Sequence, residues 1–139
     1  MTVTLQTILQ KVLVLTLLPL LTIGYEEHRL MHTTNNFQTD MTTLSIDFQD
    51  GFDKDSILCT VNELTVFNKK AVTTSKLTGL ADSINIEVEK GKAHLEITIV
   101  NRNLSKLIKL NITEESYIGI SLAGDSISYI RSAEPFGYG

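Results

Sequence analysis

The chain has 139 residues, is 42% hydrophobic and 20% charged, and carries a net charge of −4. These are the values of one globular domain with room for an appendage, and they exclude a disordered chain. Lysines and arginines do not cluster; the pairs Lys69-Lys70 and Lys90-x-Lys92 read as solvated turn residues, so the nucleic-acid phosphate backbone is excluded as a partner.

Val12–Gly24 (VLVLTLLPLLTIG) carries no charge and contains Pro19. Crossing a bilayer takes about 20 predominantly apolar residues, so this run is short for an anchor. Its length, the preceding Lys11 and the following small residues fit a secretory signal over residues 1–24. Residues 25–40 (YEEHRLMHTTNNFQTD) are polar, without helical or alternating period, and read as a linker. The histidines His28 and His32 have H-x-x-x-H spacing, but Arg29 stands where a zinc protease needs Glu, so no metal site is expected there. Met41 precedes the first clean strand. Translation starting at Met41, with the first forty residues a mis-assigned leader, is the alternative to a signal, and a retained anchor is the third reading. Export implies a secreted or periplasmic protein; a start at Met41 implies a cytoplasmic one. A membrane is expected as a partner only through an uncleaved N-terminal segment.

From Met41 the period becomes two. Leu44–Phe48, Ile57–Val61, Leu64–Phe67, Ser83–Glu89, Ala93–Val100, Ile108–Ile112, Tyr117–Leu122 and Ser126–Arg131 alternate apolar with polar residues, the pattern of strands with one face in a core. Cys59, between Ile57 and Val61, is the single cysteine; it excludes an intrachain disulfide and reads as a small buried hydrophobe. Lys90-Gly91-Lys92 and Ala123-Gly124-Asp125 are predicted to close hairpins, and Asn62-Glu63 to turn the chain from Ile57–Val61 into Leu64–Phe67, with a longer loop as the alternative because Glu fits positive φ poorly. Seven to nine short strands predict an all-β fold, an antiparallel β-sandwich of immunoglobulin- or fibronectin-like architecture over 41–139, with a jelly roll or small barrel as the alternative.

No catalytic constellation emerges. His94 is the only histidine of the folded part and is expected on a solvent face beside Glu96, near Glu87 or Glu89 on a partner strand; no triad accompanies it. Gly119–Gly124 lacks nucleophile-elbow spacing, and no phosphate loop or dinucleotide fingerprint occurs. Asp50, Asp53 and Asp55, in DFQDGFDKDS, are dense hard-oxygen ligands and form the metal candidate, for Ca²⁺, although Asp and Gly also favour turns. No other cofactor is expected. In the tail, SAEPFGYG, Phe136 and Tyr138 are expected to cap the open end of the sandwich; their functional reading is a small aromatic surface for sugar or peptide.

The sequence therefore predicts a non-catalytic binding or interaction module, exported or part of a surface assembly, with a protein or carbohydrate partner. A structural protein pairing through its edge strands is the alternative, and a small hydrolase using an unrecognised carboxylate pair is the third.

Overall fold

The alternating runs become strands one for one. A computed structural model describes residues 37–139; Val12–Gly24, residues 25–36 of the linker and the His28/His32 pair lie outside the described residues. The strands are β1 (Met41–Phe48), β2 (Asp55–Val61), β3 (Leu64–Val72), β4 (Asp82–Glu89), β5 (Gly91–Ile99), β6 (Leu104–Ile112), β7 (Ser116–Ala123) and β8 (Ser126–Ser132). They form two four-stranded sheets, ordered β4-β1-β7-β8 and β3-β2-β5-β6. Each sheet turns its apolar face to the other, as expected of a sandwich. Leu44, Ile46, Phe48, Ile118 and Ile120 of the first sheet and Cys59, Leu95, Ile97 and Ile99 of the second are fully buried, at 0% exposure. Burying an aliphatic or aromatic side chain of this size contributes about 1.5–3 kcal/mol, so this inner layer is the main source of stability.

The connections depart from expectation in two places. First, β1 and β7 run parallel, which makes the first sheet mixed; the other strand pairs are antiparallel. Second, Lys90-Gly91-Lys92 closes no hairpin. β4 pairs with β1 and β5 with β2 and β6, so the chain steps from one sheet to the other at this point. Gly91, at φ 120, makes the step where a side chain would be strained. Asn62-Glu63 turns β2 into β3 as expected, and tightly, with both residues at positive φ, 48 and 69, the type I′ pattern and not the longer loop. Asn62 offsets the strain at Glu63: its N–H donates to the His94 carbonyl and its Oδ1 accepts the His94 N–H, both at 2.9 Å. The Ala123–Ser126 hairpin forms as expected, with Gly124 at φ 63.

The open sides of the sandwich are pinned by cations. Lys69 Nζ meets Asp82 Oδ2 at 2.6 Å between β3 and β4. Between β6 and β8, Lys106 Nζ donates to the Ile127 carbonyl at 3.0 Å and Arg131 Nη2 to the Asn111 carbonyl at 2.8 Å. One end is closed by the loop after β1, whose Phe52 is buried and packs edge-on against Phe48 at 5.9 Å. Thr74 holds that loop, its Oγ1 donating to the Gln49 carbonyl and accepting the Phe52 N–H. The acidic loop thus caps this end.

Candidate functional site on the outer face of the first sheet

Alternation that sends Leu44, Ile46 and Phe48 inward sends Thr43, Ser45 and Asp47 outward. Register sets Ser45 between Asn85 of β4 and Tyr117 of β7, and Asp47 opposite Gly119. This outer face would ordinarily be a solvated polar surface. The tail after β8 changes it. The Glu134 N–H donates to Ser132 Oγ at 3.0 Å as the strand ends, and Pro135 cannot continue a ladder. The chain then turns back over the face. Tyr138 Oη donates to Asp47 Oδ2 at 2.6 Å and accepts from Gln49 Nε2 at 2.8 Å. Burial, together with the bond to Asp47, pushes the Tyr138 phenol up to about 12, so it stays a donor throughout the physiological range. Gly119 makes room for this clasp: a Cβ there would stand 2.6 Å from Gln49 Oε1.

Between tail and sheet lies a groove of about 280 Å³. Thr43, Ser45 and Asp47 of β1 and Asn85 of β4 contribute to it, with Glu115, Tyr117, Pro135 and Phe136 completing the lining. Tyr117 Oη donates to Glu115 Oε1 at 2.7 Å, and that bond raises the Tyr117 phenol. Thr43 Oγ1 donates to Glu87 Oε1 at 2.8 Å. Ser45 is only 6% exposed, yet among the described residues its hydroxyl has no hydrogen-bond partner. Two aromatic side chains, two carboxylates, an amide and two hydroxyls thus converge on one small concavity, the composition of a site that orients a polar ligand. A second opening, of about 360 Å³ between β3 and β4, is lined by Met41, Val61, Leu64, Val66, Ile86 and Val88 together with Asn62, Glu87 and Glu89; it is a gap at the sandwich's side with a more apolar wall and no aromatic side chain.

The expected aromatic surface is thereby divided. Phe136 lines the groove, whereas Tyr138 is the anchor that holds the tail down. Tyr117, Glu115, Asn85 and Ser45 join the site without having been singled out from the sequence. Tyr117 was legible as an outward strand residue, but nothing local shows that a segment beyond Pro135 will return to it.

The three aspartates of the metal candidate do not act together. Asp55 is fully buried and committed to the fold. Its Oδ1 accepts from Arg102 Nε at 2.7 Å and Asn101 Nδ2 at 2.8 Å; its Oδ2 accepts from Arg102 Nη2 at 2.6 Å and the Asp53 N–H at 2.9 Å. Burial opposes its ionisation, but the bonds from Arg102, Asp53 and Asn101 outweigh burial and hold the carboxyl below its ordinary value. Asp50 and Asp53 are exposed, and among the described residues no three His, Cys, Asp or Glu side chains gather as a metal would require. His94 is exposed on β5 and faces Lys109 across the β5–β6 pair; Glu87 and Glu89 belong to the other sheet, which corrects the expected neighbourhood. Cys59 is buried as expected, and burial pushes its thiol up to about 12. Among the described residues no helix is long and apolar enough to cross a membrane.

No family model matches the sequence, and no curated protein matches it. Among solved structures, the chain is similar to a CBM25 module from a Bacillus halodurans amylase, determined in iodinated form in complex with maltotetraose. The identity is 18% over 68% of this chain and 100% of that chain, with a TM-score of 0.34. A likeness at this level assigns neither ligand nor site to the present chain.

Proposed function

We propose that Met41–Gly139 is a non-catalytic binding module whose ligand, a carbohydrate unit, sits in the groove between the tail and the outer face of the first sheet. The observation that carries this reading is the groove itself: a tail with no role in the core is clasped by Tyr138 so that Phe136 and Tyr117 share a concavity with Asp47, Asn85 and Glu115. Aromatic faces pack on the C–H faces of a sugar ring while carboxylates and amides accept its hydroxyl protons. A peptide is favoured less. Peptides are usually taken up by free backbone at a sheet edge, whereas β1 and β7 are each paired on both sides and offer this groove side chains.

The non-catalytic reading is supported by the state of the reactive groups. Asp55 is held low by its ion pair and the Cys59 thiol is held high by burial, each the wrong direction for proton transfer or nucleophilic attack near neutral pH. Export remains part of the proposal because of Val12–Gly24, and N-terminal sequencing of the protein from its own cell tests it: a start at Tyr25 supports export, and a start at Met41 overturns it.

The test of the site is backbone amide chemical-shift mapping with a panel of tetrasaccharides. Shifts are expected around Asn85, Tyr117 and Phe136 and not around His94. Phe136→Ala should abolish them while leaving thermal unfolding in place. Shifts absent from this face with every sugar, or appearing there with peptides alone, overturn the proposal.

A further inference from the structure

We propose that the sugar unit this groove prefers carries a protonated amine. The inference rests on the carbohydrate-binding reading above and concerns which sugar the same site selects. Two carboxylates, Asp47 and Glu115, line the groove, and the residues lining it include no Lys, Arg or His. Each carboxylate is half used. Asp47 Oδ2 accepts from Tyr138 and Glu115 Oε1 accepts from Tyr117, while among the described residues the second oxygen of each has no hydrogen-bond partner and neither group has a salt bridge.

The neighbouring charges do not neutralise the pair. Arg131, on the adjacent β8, directs its guanidinium to the Asn111 carbonyl and to Ser116 Oγ. Lys90, beyond the end of β4, pairs with Asp40. Glu87, reached through Thr43, adds further negative charge beside the groove. The groove thus presents a negative field to whatever enters it.

The second, independent observation is Ser45. Its side chain is more than nine-tenths buried on the groove floor, and its hydroxyl is unpartnered among the described residues. Among the described residues no fully buried side-chain oxygen lacks a partner, so this hydroxyl opens into the groove it lines, where a ligand's polar group can bond it. A ring-borne ammonium has donors for the free oxygens of Asp47 and Glu115 and for Ser45, and its charge is further stabilised over the aromatic faces of Tyr117 and Phe136. A neutral sugar leaves both carboxylates without their best partner.

The experiment is calorimetric titration of the full chain with a β-1,4-linked glucosamine tetramer and with its fully N-acetylated counterpart, which keeps the backbone and removes the charge. A short acetylated, amidated peptide bearing one lysine is the third ligand. The amine tetramer should bind roughly tenfold more tightly than the acetylated one, the size expected of partly exposed ion pairs plus a cation–π contact. The preference should shrink at high salt. Glu115→Gln, on an exposed residue, should remove most of that preference. Equal binding of both tetramers, with shifts at Tyr117, overturns the amine inference and leaves the carbohydrate reading standing. Binding of neither overturns both. A lysine peptide that binds as tightly as the amine tetramer overturns the sugar half, because the site then reads charge alone.

Discussion

Tyr138 Oη donates to Asp47 Oδ2 at 2.6 Å across 91 positions of sequence, and this bond ties the tail to β1. It converts an open sheet face into a groove. Replacing Tyr138 by Phe keeps the ring and removes the donor. The expected loss is about 1 kcal/mol of stability, read as a lowered urea midpoint, with a larger rise in amide exchange at residues 135–139 than anywhere in the strands. Exchange that rises equally in the core would show that the tail is part of the cooperative fold and no separate strap.

Two glycines predict opposite outcomes on alanine substitution. At Gly51 the φ is 90 and a Cβ would lie 2.1 Å from the Leu122 carbonyl oxygen, a backbone atom with nowhere to go. Gly51→Ala should prevent stable folding at ordinary temperature. At Gly119 the obstacle is the end of the Gln49 side chain, which can swing away. Gly119→Ala should cost less than about 1 kcal/mol of stability yet free the tail much as Tyr138→Phe does. Circular dichroism melts separate the two cases.

The Asp55–Arg102 pair should behave as a buried ion pair, with Asp55 at 0% and Arg102 at 28% side-chain exposure. Arg102→Ala strands a buried carboxylate and should cost about 3 kcal/mol, measured by denaturant unfolding at neutral pH. The loss should be among the largest of any surface-accessible substitution in the chain.

The same pair sets a pH dependence. The folded-state pKa of Asp55 lies below its ordinary 3.8. A depressed carboxyl contributes stability that is fully present above the unfolded value and is lost as pH falls through the folded value. The advantage of wild type over Asp55→Asn should therefore be constant above about pH 5 and shrink steadily below pH 4. In Arg102→Ala the sign reverses: the stranded carboxyl titrates high, and that variant should gain stability relative to wild type on acidification.

Cys59 is fully buried and its thiol is pushed up to about 12. A thiol-specific reagent should label the native protein no faster than the protein globally unfolds, and labelling rates should follow the denaturant dependence of unfolding. Rapid labelling without denaturant would show that β2 opens locally.

Much of the fold was legible because alternation is a local signal. Ile84, Ile86 and Val88 mark a strand and its inner face by themselves, and so do Leu95, Ile97 and Ile99. What they cannot mark is whether those two strands are neighbours. Both put an apolar face into the same core, one from each sheet, and the glycine between them serves a step between sheets as well as it serves a hairpin. The misplacement of His94 beside Glu87 follows from that single ambiguity. The candidate site was half legible: Phe136 stood out as an aromatic between glycines, while its partner Tyr117 looked like any outward strand residue.

By itself the sequence determined where the strands lie, which face of each is buried, that Cys59 belongs to the core and that two sheets must cover one another, because each of these is written in residues two apart. The tertiary structure alone decided that Asp55 is spent on Arg102, 47 positions away, and that Tyr138 folds the tail over Asp47 to build a groove. Those contacts join segments that no periodicity connects. They exist because packing two twisted sheets brings distant segments and loops to the same place, where a buried charge must find a partner.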